Sequence, residues 1–186
     1  NTFNAISVDG DTSTNDMVLL FATNKAKHNI IKSKNSKEAQ IFQKHLEEVM
    51  LNLAKQVAMD GEGAKKFITI NITNCKNKKL SKKIAFSIAN SPLVKTAIAA
   101  EDPNWGRILM AVGKVDEKIN KDKVSLKIGN YLIFKDGEIA KNYNELKVKE
   151  YMSEKSIDIH VDMGTGKEKF TAYTCDLTHD YISINA

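Results

Sequence analysis

A chain of 186 residues, 42% hydrophobic and 27% charged, has the composition of a soluble globular protein with one large or two small domains and room for a real core. Its formal charge of +5 is carried by lysine, with Arg107 the only arginine, and the lysines lie scattered through turns such as 76–83 and 118–123, so no nucleic-acid partner is expected. No apolar run reaches about 18 residues and no signal-peptide pattern opens the chain, so no membrane association is expected either.

Residues 3–8 alternate (Phe3, Ile6, Val8) and residues 17–23 are apolar, so both read as strands. Between them lies Val8-Asp9-Gly10-Asp11-Thr12-Ser13-Thr14-Asn15-Asp16. So many short polar side chains cannot bury apolar area, and the stretch is expected to be a fixed polar loop closing a hairpin. Asp9, Asp11 and Ser13 alternate as calcium ligands do. The sixth position lacks glycine and the twelfth lacks glutamate, so no metal is assigned. Cys75 and Cys175 match no metal spacing and read as reduced thiols of a cytoplasmic protein.

The clearest helix follows. Asn35 reads as its N-cap with Glu38 at the third helical position. Ile41, Phe42, His45, Leu46, Val49, Leu53, Val57 and Ala58 recur at helical spacing and make one apolar stripe. His45 has no ligand partner at metal spacing and reads as packed or half-exposed. The helix runs into Asp60-Gly61-Glu62-Gly63-Ala64-Lys65-Lys66. Gly61 suits the left-handed residue that ends a helix, and Gly63 suits a close backbone approach. The helix dipole disfavours an anion at this end. Glu62 therefore reads either as a solvated cap residue or as a carboxylate aimed at a cation such as an amine.

Residues 66–73 alternate as a strand, and residues 75–80 turn. Ser81 can cap a helix reaching Asn90, and Ser91-Pro92 starts another over residues 93–100. Asp102-Pro103-Asn104-Trp105-Gly106-Arg107 reads as a turn pinned by Trp105 and an Arg107–carboxylate pair, or as a site wall. Ile108 to Val112 is expected as a buried strand. Residues 124–129, 131–134 and 157–163 alternate as strands. A helix from Asn142 or Asn144 to Lys155 is expected to turn Leu146, Tyr151 and Met152 inward. Gly164-Thr165-Gly166-Lys167 lacks the first glycine and the hydroxyl residue of a phosphate loop and reads as a hairpin turn. Residues 181–185 read as a final strand.

Four stretches, in order and spanning the chain, resemble the β chain of the ornithine acetyltransferase family. They are Phe3-Asn4 to Asp16, Gly61-Glu62-Gly63-Ala64-Lys65, Asp102-Pro103-Asn104-Trp105-Gly106-Arg107-Ile108, and Cys175-Asp176-Leu177-Thr178 through Tyr181-Ile182-Ser183-Ile184-Asn185-Ala186. The resemblance implies an α/β (α+β) fold. Residues 1–63 would form part of an αββα-type N-terminal-nucleophile sandwich shared with an α chain, and residues 64–186 a smaller α/β domain. It implies a glutamate N-acetyltransferase of arginine biosynthesis. Acetyl would pass from N2-acetylornithine to a self-processed N-terminal threonine and then to glutamate, with the threonine's own amine as base and an oxyanion hole from the α chain.

The resemblance matches Glu62 and Asn185 to substrate-binding positions. It implies no metal or cofactor, acetyl-CoA being a second acetyl donor in bifunctional members, and an α2β2 heterotetramer as the assembly. The Ala-Thr-Met-Leu segment carrying the nucleophile does not occur here, nor does the family's terminal serine or threonine after Asn185-Ala186. Both ends thus read as cut, with the catalytic threonine expected upstream and none in this chain. Two rivals stand beside this reading: an N-terminal-nucleophile aminopeptidase or amidase of the same architecture, and a non-catalytic remnant.

Overall fold

The computed structural model describes residues 2–13 and 15–186; Asn1, and Thr14 of the polar loop, lie outside the described residues. After a short 3-10 turn at Phe3–Ala5, the elements are α1 (Lys37–Met59), β1 (Phe67–Cys75), α2 (Lys78–Ala89), α3 (Pro92–Ala99), α4 (Trp105–Gly113), β2 (Ser125–Ile128), β3 (Tyr131–Lys135), β4 (Glu138–Ile139), α5 (Glu145–Met152), β5 (Ser156–Asp162), β6 (Glu168–Cys175) and α6 (His179–Asn185). The expected α/β class is borne out.

The six strands form one sheet in the order β4-β3-β2-β5-β1-β6. β1 and β5 run parallel, and the other pairs are antiparallel. Side chains on a strand alternate faces, so the register sets which residues share one. Ile68, Ile70 and Ile72 stand beside Ile157, Ile159 and Val161. All six are buried, together with Leu126 and Ile128 of β2. α2, α3, α4 and α5 close over this face with Ile84, Ile88, Val94, Ile98, Ile108, Val112, Val148 and Met152. On the opposite face, Thr69, Asn71, Thr73, Asp158 and Asp162 are half-buried and His160 is exposed. α1 packs mainly at the β6 edge. A groove of about 690 Å³ opens over the uncovered face, lined in part by Asn71, Thr73, His160, Thr171 and Tyr173.

Several elements differ from expectation, each for a local reason. Ile108 to Val112 belongs to α4, not to a strand. Ile108, Ala111 and Val112 are buried while Met110 is 44% exposed, a helical rhythm that five apolar residues cannot reveal in sequence. Residues 17–23 form no strand. Met17, Leu19, Leu20 and Phe21 are largely exposed, since a strand needs a neighbour to accept its backbone hydrogen bonds. Residues 3–8 contribute only the 3-10 turn and a single bridge from Ile6 to Tyr173, so the polar loop closes no hairpin. Residues 181–185 are helical because Thr178 caps α6 through the Asp180 N–H.

Leu146 points outward, at 79% exposed, and Val148 takes its place in the core. β5 and β6 are not a hairpin. They flank β1, and their connection crosses its end, where Thr165 and Gly166 N–H groups donate to the Asn74 carbonyl. Arg107 makes no ion pair among the described residues. It donates to the Leu93 carbonyl and the Thr96 hydroxyl, while Trp105 stacks on Phe134. α2 starts three residues earlier than Ser81, with Asn77 as its cap.

α1 is capped by Ser36, one residue past Asn35; Ser36 Oγ accepts from the Ala39 N–H at 3.1 Å. Ser36→Ala should cost about 1 kcal/mol of stability, the scale of one lost N-cap. Urea unfolding of the full-length protein measures it. Ala54 and Ala58 are the buried residues of α1. The larger apolar residues Ile41, Phe42, Val49, Leu53 and Val57 face outward, so most of the expected stripe does not meet this chain's core. His45 is exposed too, at 3.8 Å from Glu48.

Candidate substrate-amine site

One end of the sheet, where β1 begins and β6 ends, gathers a cluster of long-range polar contacts. The α1–β1 connection arrives there as Gly61-Glu62-Gly63, and α6 folds back over it. Gly63 has φ +67, and a Cβ would lie 2.6 Å from the Tyr181 backbone nitrogen; no other residue fits so close an approach in the left-handed region. Gly61 is not left-handed. A Cβ there would lie 2.9 Å from both Cys175 Sγ and Val8 Cγ1, so it permits packing and does not end the helix. Asp60 occupies the C-cap position instead. Gly63 thus makes the close backbone approach expected of it, and the left-handed conformation expected at Gly61 also falls on Gly63.

Glu62 and Asn185 lie 123 residues apart in sequence, yet Asn185 Nδ2 donates to Glu62 Oε2 at 2.6 Å. The same amide donates to the Tyr181 carbonyl at 3.0 Å. Tyr181 OH donates to Asp9 Oδ2 at 3.0 Å. Asp9 also accepts from the Asp11 N–H, and these bonds, that one foremost, hold its pKa below the ordinary carboxylate value. The bond to Asp9 raises the Tyr181 phenol. Thr178 Oγ1 donates to the Gly63 carbonyl at 2.7 Å, and Lys65 pairs with Asp180 at 2.9 Å across exposed surface. Asp176, 3% exposed, accepts from the Lys65 and Lys66 N–H groups through Oδ1.

The polar loop therefore contributes through Asp9, with Ser13 Oγ accepting from Asn15 and Asp16 as a local turn. Among the described residues no group of three or more histidine, cysteine or carboxylate side chains could hold a metal ion. Chemically, the site offers an exposed carboxylate braced by an amide donor, with a phenol and a second carboxylate behind it. A carboxylate so placed has the chemistry to accept charge-assisted hydrogen bonds from an ammonium.

Sequence reasoning missed Lys95, Asp176, Thr178 and Tyr181 as parts of this arrangement. For Lys95 a signal existed: a lone lysine inside the apolar helix Pro92-Leu93-Val94-Lys95-Thr96-Ala97-Ile98. Tyr181 carried a misleading signal, since its alternation with Ile182 and Ile184 suggested a strand.

No described helix is long and apolar enough to cross a membrane. In comparison with known proteins, the chain matches the ArgJ family over residues 1–186. It is 46% identical over 184 residues to the "Arginine biosynthesis bifunctional protein ArgJ" of Caulobacter vibrioides, covering 99% of this chain and 46% of that protein. It is 48% identical over 185 residues to the protein of the same name from Ruegeria pomeroyi, covering 100% of this chain and 44% of that protein. The crystal structure of arginine biosynthesis bifunctional protein argJ from Bacillus halodurans superposes with a TM-score of 0.93 at 38% identity, over 99% of this chain and 86% of that one. The chain spans a little under half the length of the curated relatives it matches. With its whole length matched and its fold shared, the chain belongs to the ArgJ family.

Proposed function

We propose that the full-length protein containing this chain is a glutamate N-acetyltransferase of arginine biosynthesis, and that Glu62 and Asn185 bind its amino-acid substrates. The observation that carries the reading is the 2.6 Å contact between these two side chains, formed on a backbone that only glycine permits at Gly63. The Asn185 amide occupies the place on Glu62 that a substrate ammonium would take. An ammonium brings full charge and three donors, so it is the stronger partner.

In this reading a threonine upstream of Asn1, opening the processed β chain, attacks the acetyl carbonyl of N2-acetylornithine. The amide C–N bond breaks, ornithine leaves with the proton, and an acetyl-threonine ester remains. The amine of glutamate then attacks that ester and regenerates the hydroxyl. Residues 1–63 contribute to a nucleophile-type sandwich completed by the α chain, and residues 64–186 form the C-terminal α/β domain. Support comes from apolar surface in the first unit. Met17, Val18, Leu19, Leu53, Val57 and Met59 line one groove, and exposed apolar area of this kind marks a contact surface. An α2β2 assembly, use of acetyl-CoA as second donor and a cytoplasmic location belong to the same proposal.

Purified full-length protein should convert N2-acetylornithine and glutamate to ornithine and N-acetylglutamate, with parallel double-reciprocal plots. Release of free acetate independent of glutamate would instead identify an amidase.

A further inference from the structure

We propose that Lys95 is a positioning residue for the Glu62–Asn185 pair: one buried ammonium holds both chain segments that aim these side chains. This rests on the reading of Glu62 and Asn185 as substrate-binding residues. Lys95 sits on α3 and is 3% exposed. Burial lowers its pKa, and a buried ammonium is costly wherever an apolar side chain would pack as well. No carboxylate lies within ion-pair distance of it among the described residues; the adjacent Cys175 and then, from farther away, Asp176 and Asp9 favour its charge.

Its three N–H donors are shared instead among the Val8 carbonyl, Thr174 Oγ1, the Cys175 carbonyl and, at 3.8 Å, Cys175 Sγ. These acceptors lie on two separate segments, each one residue from a contact that leads to the site. Val8 precedes Asp9, which accepts from Tyr181 OH, and the Tyr181 carbonyl accepts from Asn185. Cys175 precedes Asp176, which holds the Lys65 and Lys66 N–H groups immediately after the Gly61–Gly63 turn. Asn185 is thus tethered through one arm and Glu62 through the other. No apolar side chain at position 95 could join the two.

The test is a double-mutant cycle of Lys95→Met and Glu62→Gln in the full-length protein, read as KM and kcat for N2-acetylornithine with thermal midpoints alongside. Lys95→Met should raise KM about tenfold with kcat within about twofold, and its effect should shrink to under about threefold on the Glu62→Gln background, because misplacing a group that is already lost costs little. Lys95→Arg should recover part of the KM. Additive effects, or a loss confined to kcat that follows a lowered midpoint, would show a merely structural lysine and overturn the proposal. Should Lys95→Met fail to fold, Thr174→Val removes one acceptor and leaves the ammonium. It should raise KM about threefold with the same coupling, and additivity there overturns the proposal equally. An unchanged KM for Glu62→Gln alone would mark failure of the site reading itself, and the positioning role falls with it.

Discussion

Glu62→Gln in the full-length protein should lower kcat/KM for N2-acetylornithine by about 1.5–3 kcal/mol, roughly 10- to 150-fold, the scale of one hydrogen bond to a charged group. The substitution is isosteric, and the amide oxygen it introduces can still accept from Asn185 Nδ2 as the Glu62 carboxylate does now. What is lost is the charge that favours an ammonium over an amide. Glu62 is exposed in this chain, so the fold does not depend on its charge, and the melting temperature should stay within about 1 °C of the parent, as expected for a surface substitution. Steady-state kinetics beside a thermal melt separate the two possibilities. A solvated cap residue would leave both unchanged, whereas a substrate carboxylate loses activity alone.

Ile159→Ala should cost about 2–5 kcal/mol of stability, the range for truncating a fully buried isoleucine. Ile159 is 0% exposed and central in the sheet. It lies between Ile70 of β1 and Ile128 of β2, under the helical layer. Neighbours on both strands are held in register by backbone bonds, so the cavity cannot readily collapse. Ile157 is buried on the same strand and should behave alike, whereas His160→Ala on the open face should change stability by under about 0.5 kcal/mol. Urea unfolding of the full-length variants gives the comparison. Equal effects at positions 159 and 160 would contradict the assignment of the two sheet faces.

The sheet and α1 were legible because their periods are unambiguous. Alternating β-branched residues over 66–73 and 157–163 admit few other structures, and a 23-residue helix repeats its pattern many times. Short segments failed for the converse reason. Ile108 to Val112 fits strand and helix alike, and what decides is packing of α4 against α2 and α3, which no local rule contains. Residues 17–23 are apolar enough for a strand, but strand formation needs a partner edge.

The site was half legible. The odd chemistry of Gly61-Glu62-Gly63 singled out Glu62, yet left it between a cap and a cation site. Its contact with Asn185 depends on α6 folding back across the sheet end, a long-range event that the alternation of residues 181–185 disguised. Lys95 showed itself only as a lone lysine in an apolar helix; its partners were not legible, because two of them are backbone carbonyls, which leave no trace in side-chain identity.

The central claim, acetyl transfer through a threonine ester to which this chain contributes the amine-binding side, is tested most directly by intact mass measurement. Full-length protein exposed to N2-acetylornithine without glutamate should gain one acetyl group on the segment preceding Asn1. Added glutamate should discharge it as N-acetylglutamate. Protein that never carries acetyl, or that yields only free acetate while glutamate goes unmodified, would contradict the account.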